Sequence, residues 1–268
     1  MKALRSHVVR VAAVAVVAVV AWYTRLPAYS DAQLRNLAAS FAFERAQLPT
    51  AATGRTKLVR DVEPQLRDIR AWISAVGAAV SLADLDADGL PNDVCLVDPR
   101  TDSVTVAPAP ATGARYAPFV LDARPLPYDR ATTAPMGCLP GDFDEDGRLD
   151  LLVYYWGRTP VLFLRRPGGR LGPAAFAQRE LVRAGGRWYT DAITQADVDG
   201  DGHADLVVGN YFPDGARVLD VHALHDPAMQ MQDSMSRARN GGGDRIFLWR
   251  PGRVHFAETR GAMPHRMS

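Results

Sequence analysis

The sequence has almost no excess of either charge sign. It contains 31 basic and 30 acidic residues, which gives a formal net charge of +1. Proteins that bind nucleic acid usually carry a strongly basic face, so this balance gives no support for a nucleic-acid partner. Heptad repeats and low-complexity tracts are also missing, which argues against a coiled coil.

Short catalytic motifs are missing as well. The six histidines include no H-E-x-x-H pattern, and the chain has no G-x-S-x-G elbow. The glycine-rich stretch from Asn240 to Asp244 lacks the Lys-Ser/Thr of a phosphate-binding loop, so we interpret it as a turn. We therefore predict no catalytic residue and no organic cofactor.

Cysteine is scarce, with two residues in the whole chain. Cys95 and Cys138 could form a disulfide if the chain is exported, because oxidising compartments permit disulfides. A pair of buried free thiols is the other interpretation. We favour the thiols, because strands readily bury small apolar residues.

Long hydrophobic runs are limited to the N-terminus. Three basic residues precede the apolar stretch VAAVAVVAVVAWY at residues 11–23. A basic start followed by about a dozen apolar residues is typical of an export signal, whereas a free-standing membrane span needs about 20. We predict a signal peptide or membrane anchor over residues 1–29, with the anchor favoured. The rest of the chain would then be exported, either anchored at the cell surface or secreted.

A short helix is predicted after this segment, with Ser30 as its N-cap. The apolar face of this helix comprises Leu34, Leu37, Ala38 and Phe41. We assign residues 30–69 to this helix and to a linker or leading strand. Residues 70–268 are assigned to the repeats described next.

Acidic residues are concentrated in three stretches of similar spacing. These are loop 1 (DLDADGLPND, 84–93), loop 2 (DFDEDGRLD, 142–150) and loop 3 (DVDGDGHAD, 197–205), whose first aspartates are 58 and 55 residues apart. A near-constant period over three copies indicates an internal repeat. Two unit charges about 4 Å apart interact by about 4 kcal/mol at an effective dielectric near 20. The carboxylates of each loop therefore need a counter-charge.

The D-x-D-x-D-G pattern predicts a calcium site in each loop, and so up to three Ca²⁺ ions. Calcium accepts several oxygen ligands in flexible geometry, whereas magnesium usually keeps its waters. In each loop we predict four aspartates as ligands, together with the carbonyl oxygen of the residue after the glycine. The predicted ligands are Asp84, Asp86, Asp88, Leu90 and Asp93 in loop 1; Asp142, Asp144, Asp146, Arg148 and Asp150 in loop 2; and Asp197, Asp199, Asp201, His203 and Asp205 in loop 3. In loop 1, either Asn92 or Asp93 could close the site, and we favour Asp93.

An EF-hand is the main alternative, since its calcium loop begins with the same pattern. That motif requires a bidentate Glu at the twelfth position. The twelfth positions here are Cys95, Val153 and Val208, and strand-forming residues follow in place of a helix. We therefore reject the EF-hand. Ordinary acidic turns would explain one copy, but they explain three copies in register poorly.

Each acidic loop leads into a segment typical of a strand, namely DVCLV, DLLVYYW or DLVVGNYF. Further predicted strands are VTVAP, VLFLRR, ARVLDV and RIFLWR. Each period thus supplies about four short strands, and no long amphipathic helix of the kind that a βαβ unit needs lies between them. We predict an all-β fold, a partial β-propeller of four-stranded blades preceded by an N-terminal hydrophobic helix.

These features resemble the FG-GAP or VCBS repeats of the integrin α-chain propeller. The pairing of DLDADGLPNDV with the late segment GGGDRIFLWRPGRVHFAETRGA is similar to the cartilage acidic protein group, which is associated with an ASPIC/UnbV-type domain. The resemblance covers residues 70–261 and implies a calcium-stabilised propeller on an exported, usually non-enzymatic protein. Its partner would be an extracellular protein or glycan, and only the N-terminal segment would contact a membrane.

The chain is short for such a propeller. About seven blades of about 57 residues would need about 400 residues, and the sequence has 268. We therefore expect a truncated member with about three blades and without the ASPIC/UnbV-type domain. Some propellers carry hydrolase or lyase sites, so an enzyme of that kind is the alternative, which rests on the fold alone.

Overall fold

The computed structural model describes residues 2–25, 28–51, 56–182, 185–223, 241–251 and 256–259. The chain divides into two units, residues 1–46 and 47–268. The first unit contains helix α1 (Lys2–Tyr23) and helix α2 (Asp31–Ala39).

Helix α1 includes the apolar stretch at residues 11–23, and its side chains from Arg10 to Tyr23 are exposed. Within the described ranges, no helix combines the length and hydropathy that crossing a bilayer requires. The structure therefore does not show the predicted hydrophobic anchor, and export of the chain stays a prediction.

Helix α2 begins where the sequence predicts. Ser30 is its N-cap, and the Ser30 hydroxyl accepts a hydrogen bond from the Gln33 backbone N–H at 3.3 Å. The Gln33 side-chain oxygen accepts the Ser30 backbone N–H at 2.9 Å. This reciprocal pair is a capping box, which satisfies two N–H groups that the helix itself leaves unbonded. The predicted N-cap is therefore confirmed.

The second unit is built from antiparallel sheets. Its described residues form three four-stranded sheets, in which each strand pairs with the next along the chain. Sheet 1 contains β1 (Ala79–Ala83), β2 (Asp93–Asp98), β3 (Ser103–Pro108) and β4 (Phe119–Val120). Sheet 2 contains β5 (Ala134–Gly141), β6 (Asp150–Trp156), β7 (Val161–Arg165) and β8 (Phe176–Glu180). Sheet 3 contains β9 (Thr190–Ala196), β10 (Asp205–Asn210), β11 (Arg245–Trp249) and β12 (Phe256–Glu258). The predictions of a mostly β fold and of four strands per repeat are confirmed, and the three sheets are consistent with propeller blades.

The sheets stack because β6 buries both of its faces. Leu151, Val153 and Tyr155 pack in one apolar cluster with residues of sheet 1, and Leu152 packs in another with residues of sheet 3. Successive side chains of a strand point to opposite faces, so sheet 2 lies between its two neighbours. This double burial explains why the segment DLLVYYW is apolar almost throughout.

The predicted leading strand is not found. The described part of residues 30–69 contains α2 and a 3₁₀ helix (Pro64–Ile69) but no strand, and helix α3 (Arg70–Ala75) follows. Leu66 and Ile73 are fully buried in an apolar cluster that also contains Trp156. Residues 64–75 are thus held by the packing of these two side chains and not by pairing with a sheet. A further short 3₁₀ helix (Pro173–Ala175) precedes β8.

The segment ARVLDV, at residues 216–221, is not a strand either, contrary to the prediction. Its backbone forms turns, and the Val218 N–H donates to the Tyr189 hydroxyl at 2.9 Å. That hydroxyl in turn donates to the Ala216 carbonyl at 2.7 Å. Ala216 and Val218 are fully buried in the same cluster as Trp156. The apolar pattern therefore reflects burial of side chains and not strand pairing.

A disulfide joins Cys95 in β2 to Cys138 in β5, so the interpretation as buried free thiols is wrong. Both residues are buried in the apolar cluster between sheets 1 and 2. Stacking of the two sheets brings the cysteines together although 43 residues separate them in sequence. The bond is a covalent link between the first two sheets.

Replacing both cysteines by alanine is expected to lower the free energy of unfolding. Closing a loop over 43 residues restricts the unfolded chain by about 4 kcal/mol, and measured losses are typically about 2–4 kcal/mol. Urea unfolding of the full chain measures the difference. As a control, thiol titration of the denatured, unreduced wild type should find no free thiol. Two free thiols per chain would contradict the assignment.

Candidate metal centre

The three acidic loops occupy equivalent places in the three sheets. Each connects the first strand of its sheet to the second, and its last aspartate is the first residue of that second strand. These last aspartates, Asp93, Asp150 and Asp205, are fully buried. The sequence repeat is therefore also a structural repeat.

Two residues in each loop have left-handed backbone conformations. The sixth residue is the glycine that the motif requires, with φ of 89°, 82° and 90° in Gly89, Gly147 and Gly202. The fourth residue is also left-handed, with φ of 62°, 56° and 79° in Ala87, Glu145 and Gly200. A left-handed residue other than glycine costs about 1–3 kcal/mol, so Ala87 and Glu145 are held in a strained conformation.

The first aspartate organises the backbone of each loop. Its carboxylate oxygens accept hydrogen bonds from the N–H groups of the fifth and sixth loop residues at 2.9–3.1 Å. In loop 1, for example, Asp84 accepts the N–H groups of Asp88 and Gly89. These bonds explain why the turn is tight, and they direct the remaining carboxylates towards one another.

In loops 2 and 3, the buried last aspartate ties the loop to the third strand of its sheet. In loop 2, Asp150 accepts the Phe143 N–H at 3.0 Å and the Arg165 N–H at 2.6 Å. In loop 3, Asp205 accepts the Trp249 N–H at 2.8 Å. Because Arg165 and Trp249 end their strands, one carboxylate connects the loop with two strands at the same edge of the sheet.

In loop 1, the buried last aspartate is Asp93. Its Oδ2 accepts the N–H groups of Leu85 and Asp86 at 2.6 and 3.0 Å. Asn92 instead donates its side-chain amide to Asp88 at 3.1 Å. The role of Asp93 as a metal ligand stays a prediction.

Carboxylate oxygens converge in all three loops. One oxygen from each of three aspartates lies within 4.8 Å of the other two. The converging groups are Asp84, Asp86 and Asp93; Asp142, Asp144 and Asp146; and Asp197, Asp199 and Asp205. The remaining predicted aspartates are Asp88, Asp150 and Asp201, which lie in the same loops but outside these groups.

The residue after the glycine is bonded to the third aspartate of its loop. The N–H groups of Leu90, Arg148 and His203 donate to the third aspartate of their loops at 2.9–3.0 Å. These hydrogen bonds are consistent with the predicted positions of the three residues. Their carbonyl oxygens as ligands stay predictions.

The donor sets of loops 2 and 3 fit a hard cation, because their converging atoms are all carboxylate oxygens. Burial raises the pKa of Asp150 to about 7, although the N–H groups of Arg165 and Phe143 act in the opposite direction. A cation nearby would favour the ionised form of this carboxyl. Loop 1 differs, because the side chain of Arg115 enters it.

The side chain of His203 contacts two residues outside its own loop. Its ring stacks on Trp249 with the ring centroids 4.0 Å apart, and its Nδ1 contacts a carboxylate oxygen of Glu145 in loop 2. This contact connects loops 2 and 3. Sequence reasoning missed Glu145, Trp249 and Arg115, since each acts on a loop distant from it in sequence.

The hydrogen bond to Glu145 raises the pKa of His203 above its ordinary value. The contact therefore stabilises the protein at low pH, and this contribution is lost as the pH rises through the pKa of His203 in the folded state. We expect Glu145→Gln to lower this pKa in an NMR titration of the imidazole in the presence of chelator. Asp68→Asn, at an exposed position outside the loops, is the control. An unchanged pKa in the Glu145 variant would contradict the assignment.

Comparison with known proteins identifies part of this region. Residues 142–208 match the model of the FG-GAP-like repeat, a match that begins at the first aspartate of loop 2 and includes loop 3. The chain has no significant match among curated proteins or among solved structures. The narrower resemblance to the cartilage acidic protein group and the truncation stay predictions. The chain thus contains an FG-GAP-like repeat, which spans the loops of sheets 2 and 3.

Proposed function

We propose that this chain is a calcium-stabilised, propeller-like module that binds an extracellular protein or glycan and catalyses no reaction. The observation that carries this proposal is the recurrence of one acidic loop at the same place in three consecutive four-stranded sheets. The FG-GAP-like repeat over loops 2 and 3 supports it, since this repeat family is non-catalytic.

Calcium would act as a structural ion. The loop aspartates would hold it between the first and second strands, and in loops 2 and 3 the buried last aspartate is already bonded to the third strand. The bound ion would neutralise the loop carboxylates and so remove their mutual repulsion. This gain would occur in the folded protein and not in the unfolded chain. An ion that binds the folded state and not the unfolded chain shifts the folding equilibrium by mass action.

Three observations support a location outside the cytoplasm. Disulfides persist mainly in oxidising compartments, and Cys95 is bonded to Cys138. FG-GAP repeats typically occur in extracellular proteins. The basic and apolar N-terminal segment of the sequence is consistent with export.

Exposed aromatic side chains offer a contact surface for a partner. The rings of Trp72 and Tyr211 are in tilted contact with centroids 5.5 Å apart, and both side chains are partly exposed. Tryptophan and tyrosine are enriched among the residues that dominate binding energy at protein interfaces. Aromatic faces also suit the apolar surfaces of sugars, so the pair is compatible with either class of ligand.

A cleft lined mainly by residues of sheet 1 and its connections gives little support for a hydrolase or lyase. This cleft has a volume of about 670 Å³ and contains Lys57, Asp102, Asp122 and Arg124. Asp102 is ion-paired with Lys57, and Asp122 is ion-paired with Arg124. Carboxylates engaged by neighbouring cations are poorly suited to general acid or base catalysis, so the cleft favours binding.

Chelation of calcium is expected to lower the melting temperature of the full chain. At a calcium concentration of about 100 times Kd, each site contributes about 2.7 kcal/mol, which corresponds to about 5–10 °C for a chain of this size. Differential scanning calorimetry with calcium and then with chelator measures the shift. Magnesium should give a smaller shift.

Three variants test whether the loops cause this effect. Asp144→Asn and Asp199→Asn should each reduce the calcium-dependent shift, because each removes one converging carboxylate. Asp68→Asn should retain the full shift, because Asp68 is exposed and lies outside the loops. Identical melting with calcium and with chelator in the wild type would reject the calcium assignment.

A further inference from the structure

Loop 1 contains a cation supplied by the chain itself. Arg115, in the connection between β3 and β4, places its guanidinium among the carboxylates of this loop. Nη1 forms ion pairs with Asp86 and, at 3.0 Å, with Asp88. Nη2 lies 2.7 Å from Asp93 Oδ1 and donates to the Asn92 carbonyl at 2.9 Å. One guanidinium therefore engages three carboxylates and a backbone carbonyl of the same loop.

These oxygens largely coincide with the set that the sequence assigns to calcium in loop 1. Asp93 is fully buried, and 19% of the Arg115 side chain is exposed. The Tyr116 hydroxyl also donates to Asp93 Oδ1 at 2.8 Å. The oxygen of Asp93 that would face an ion thus already has two donors from the chain.

An extra residue in loop 1 explains why side chains, and not the backbone of β3, bond to Asp93 Oδ1. Loop 1 has ten residues and loops 2 and 3 have nine, and the additional residue brings the Asn92 carbonyl to the backbone at the end of β3. That carbonyl accepts the Ala109 N–H at 2.8 Å. In loop 2, the corresponding N–H is that of Arg165, which donates to the last aspartate itself. In loop 1, Asp93 Oδ1 is instead bonded by side chains.

We propose that Arg115 takes the place of calcium in loop 1, so that the chain binds two calcium ions, in loops 2 and 3, and closes its first sheet without metal. This inference rests on the proposed function. A calcium ion could enter loop 1 only by displacing a guanidinium that is bonded to four groups. Placing a divalent ion beside it would also bring two cations together in a confined space.

Arginines near the other two loops make fewer contacts. Arg148 pairs with Asp146 in loop 2, and its side chain is 38% exposed. Arg250 pairs with Asp199 and Asp201 in loop 3, both at 3.3 Å, and its side chain is 45% exposed. Among the described residues, neither forms an ion pair with the buried last aspartate of its loop. Such exposed side chains can turn towards solvent when an ion binds.

If Arg115 fills loop 1, sequence spacing alone overstates the number of calcium sites. The difference comes from a side chain 22 residues after Asp93, which no local motif reveals.

Calcium titration by isothermal calorimetry on the full chain tests the inference through the number of ions bound. We expect two ions in the wild type and three in Arg115→Ala, since the variant frees the carboxylates of loop 1. Arg250→Ala is the matched control, because it removes an arginine that lies near a loop but does not fill it, and it should bind two. Asp86→Asn should also bind two, whereas Asp144→Asn and Asp199→Asn should each bind one.

The outcomes separate this inference from the proposed function. Three ions in the wild type, or two in Arg115→Ala, would overturn the inference and leave the calcium function in place. No ion in the wild type would overturn the calcium function. If the wild type binds no ion but Arg115→Ala binds one, the role of Arg115 in loop 1 is still supported. If Arg115→Ala also binds none, that role is overturned.

Hydrogen exchange on the wild type gives a second test that does not require a variant to fold. On chelation, the amides of Asp146, Gly147, Asp201 and Gly202, which bond to the first aspartates of loops 2 and 3, should exchange faster. The equivalent amides of Asp88 and Gly89 in loop 1 should be unaffected. Equal acceleration in all three loops would overturn the inference.

Discussion

The structure depends on a buried carboxylate at the start of the second strand of each sheet. Asp93, Asp150 and Asp205 are fully buried, and each bonds to the backbone of the loop that precedes it. Burying an ionised carboxylate is unfavourable unless it is hydrogen-bonded and its charge is balanced. Backbone N–H groups supply the hydrogen bonds, but they carry no net charge. We propose that a cation balances this charge, namely the guanidinium of Arg115 in loop 1 and a calcium ion in loops 2 and 3.

This requirement links the local motif to the packing of the sheets. The buried last aspartate holds the loop at the sheet edge. The residues that follow this aspartate in the strand belong to the apolar core. In β6, Asp150 is followed by Leu151 and Leu152, which pack towards sheets 1 and 3 respectively. A change in the charge state of the loop therefore acts on a strand that both neighbouring sheets contact. The disulfide between β2 and β5 adds a covalent link at the first of these interfaces.

Local patterns in the sequence predict the repeat, the position of the loops, most of the strands and the N-cap at Ser30. These features depend on residues close to one another in the chain, such as the aspartates that bond to backbone N–H groups four and five residues ahead. The turn at residues 216–221 is not predicted, because its apolar residues fill a cluster around Trp156 that forms only in the folded protein. The left-handed conformation of Ala87 is likewise imposed by the loop and is not evident from alanine itself.

Contacts between distant residues account for the remaining differences. The bond between Cys95 and Cys138 depends on how two sheets stack, and the entry of Arg115 into loop 1 depends on the path of the β3–β4 connection. Both involve side chains that lie far apart in sequence and carry no motif. The described residues thus differ between the loops: in loop 1 an arginine pairs with the buried last aspartate, whereas Arg148 and Arg250 pair with more exposed carboxylates of loops 2 and 3.

A crystal structure of the full chain grown in calcium, with anomalous diffraction data, tests this account most directly. The account predicts an anomalous peak among the carboxylates of loop 2 and another in loop 3, with the guanidinium of Arg115 in loop 1. Crystals in which loops 2 and 3 show no peak and their aspartates point into solvent would contradict it.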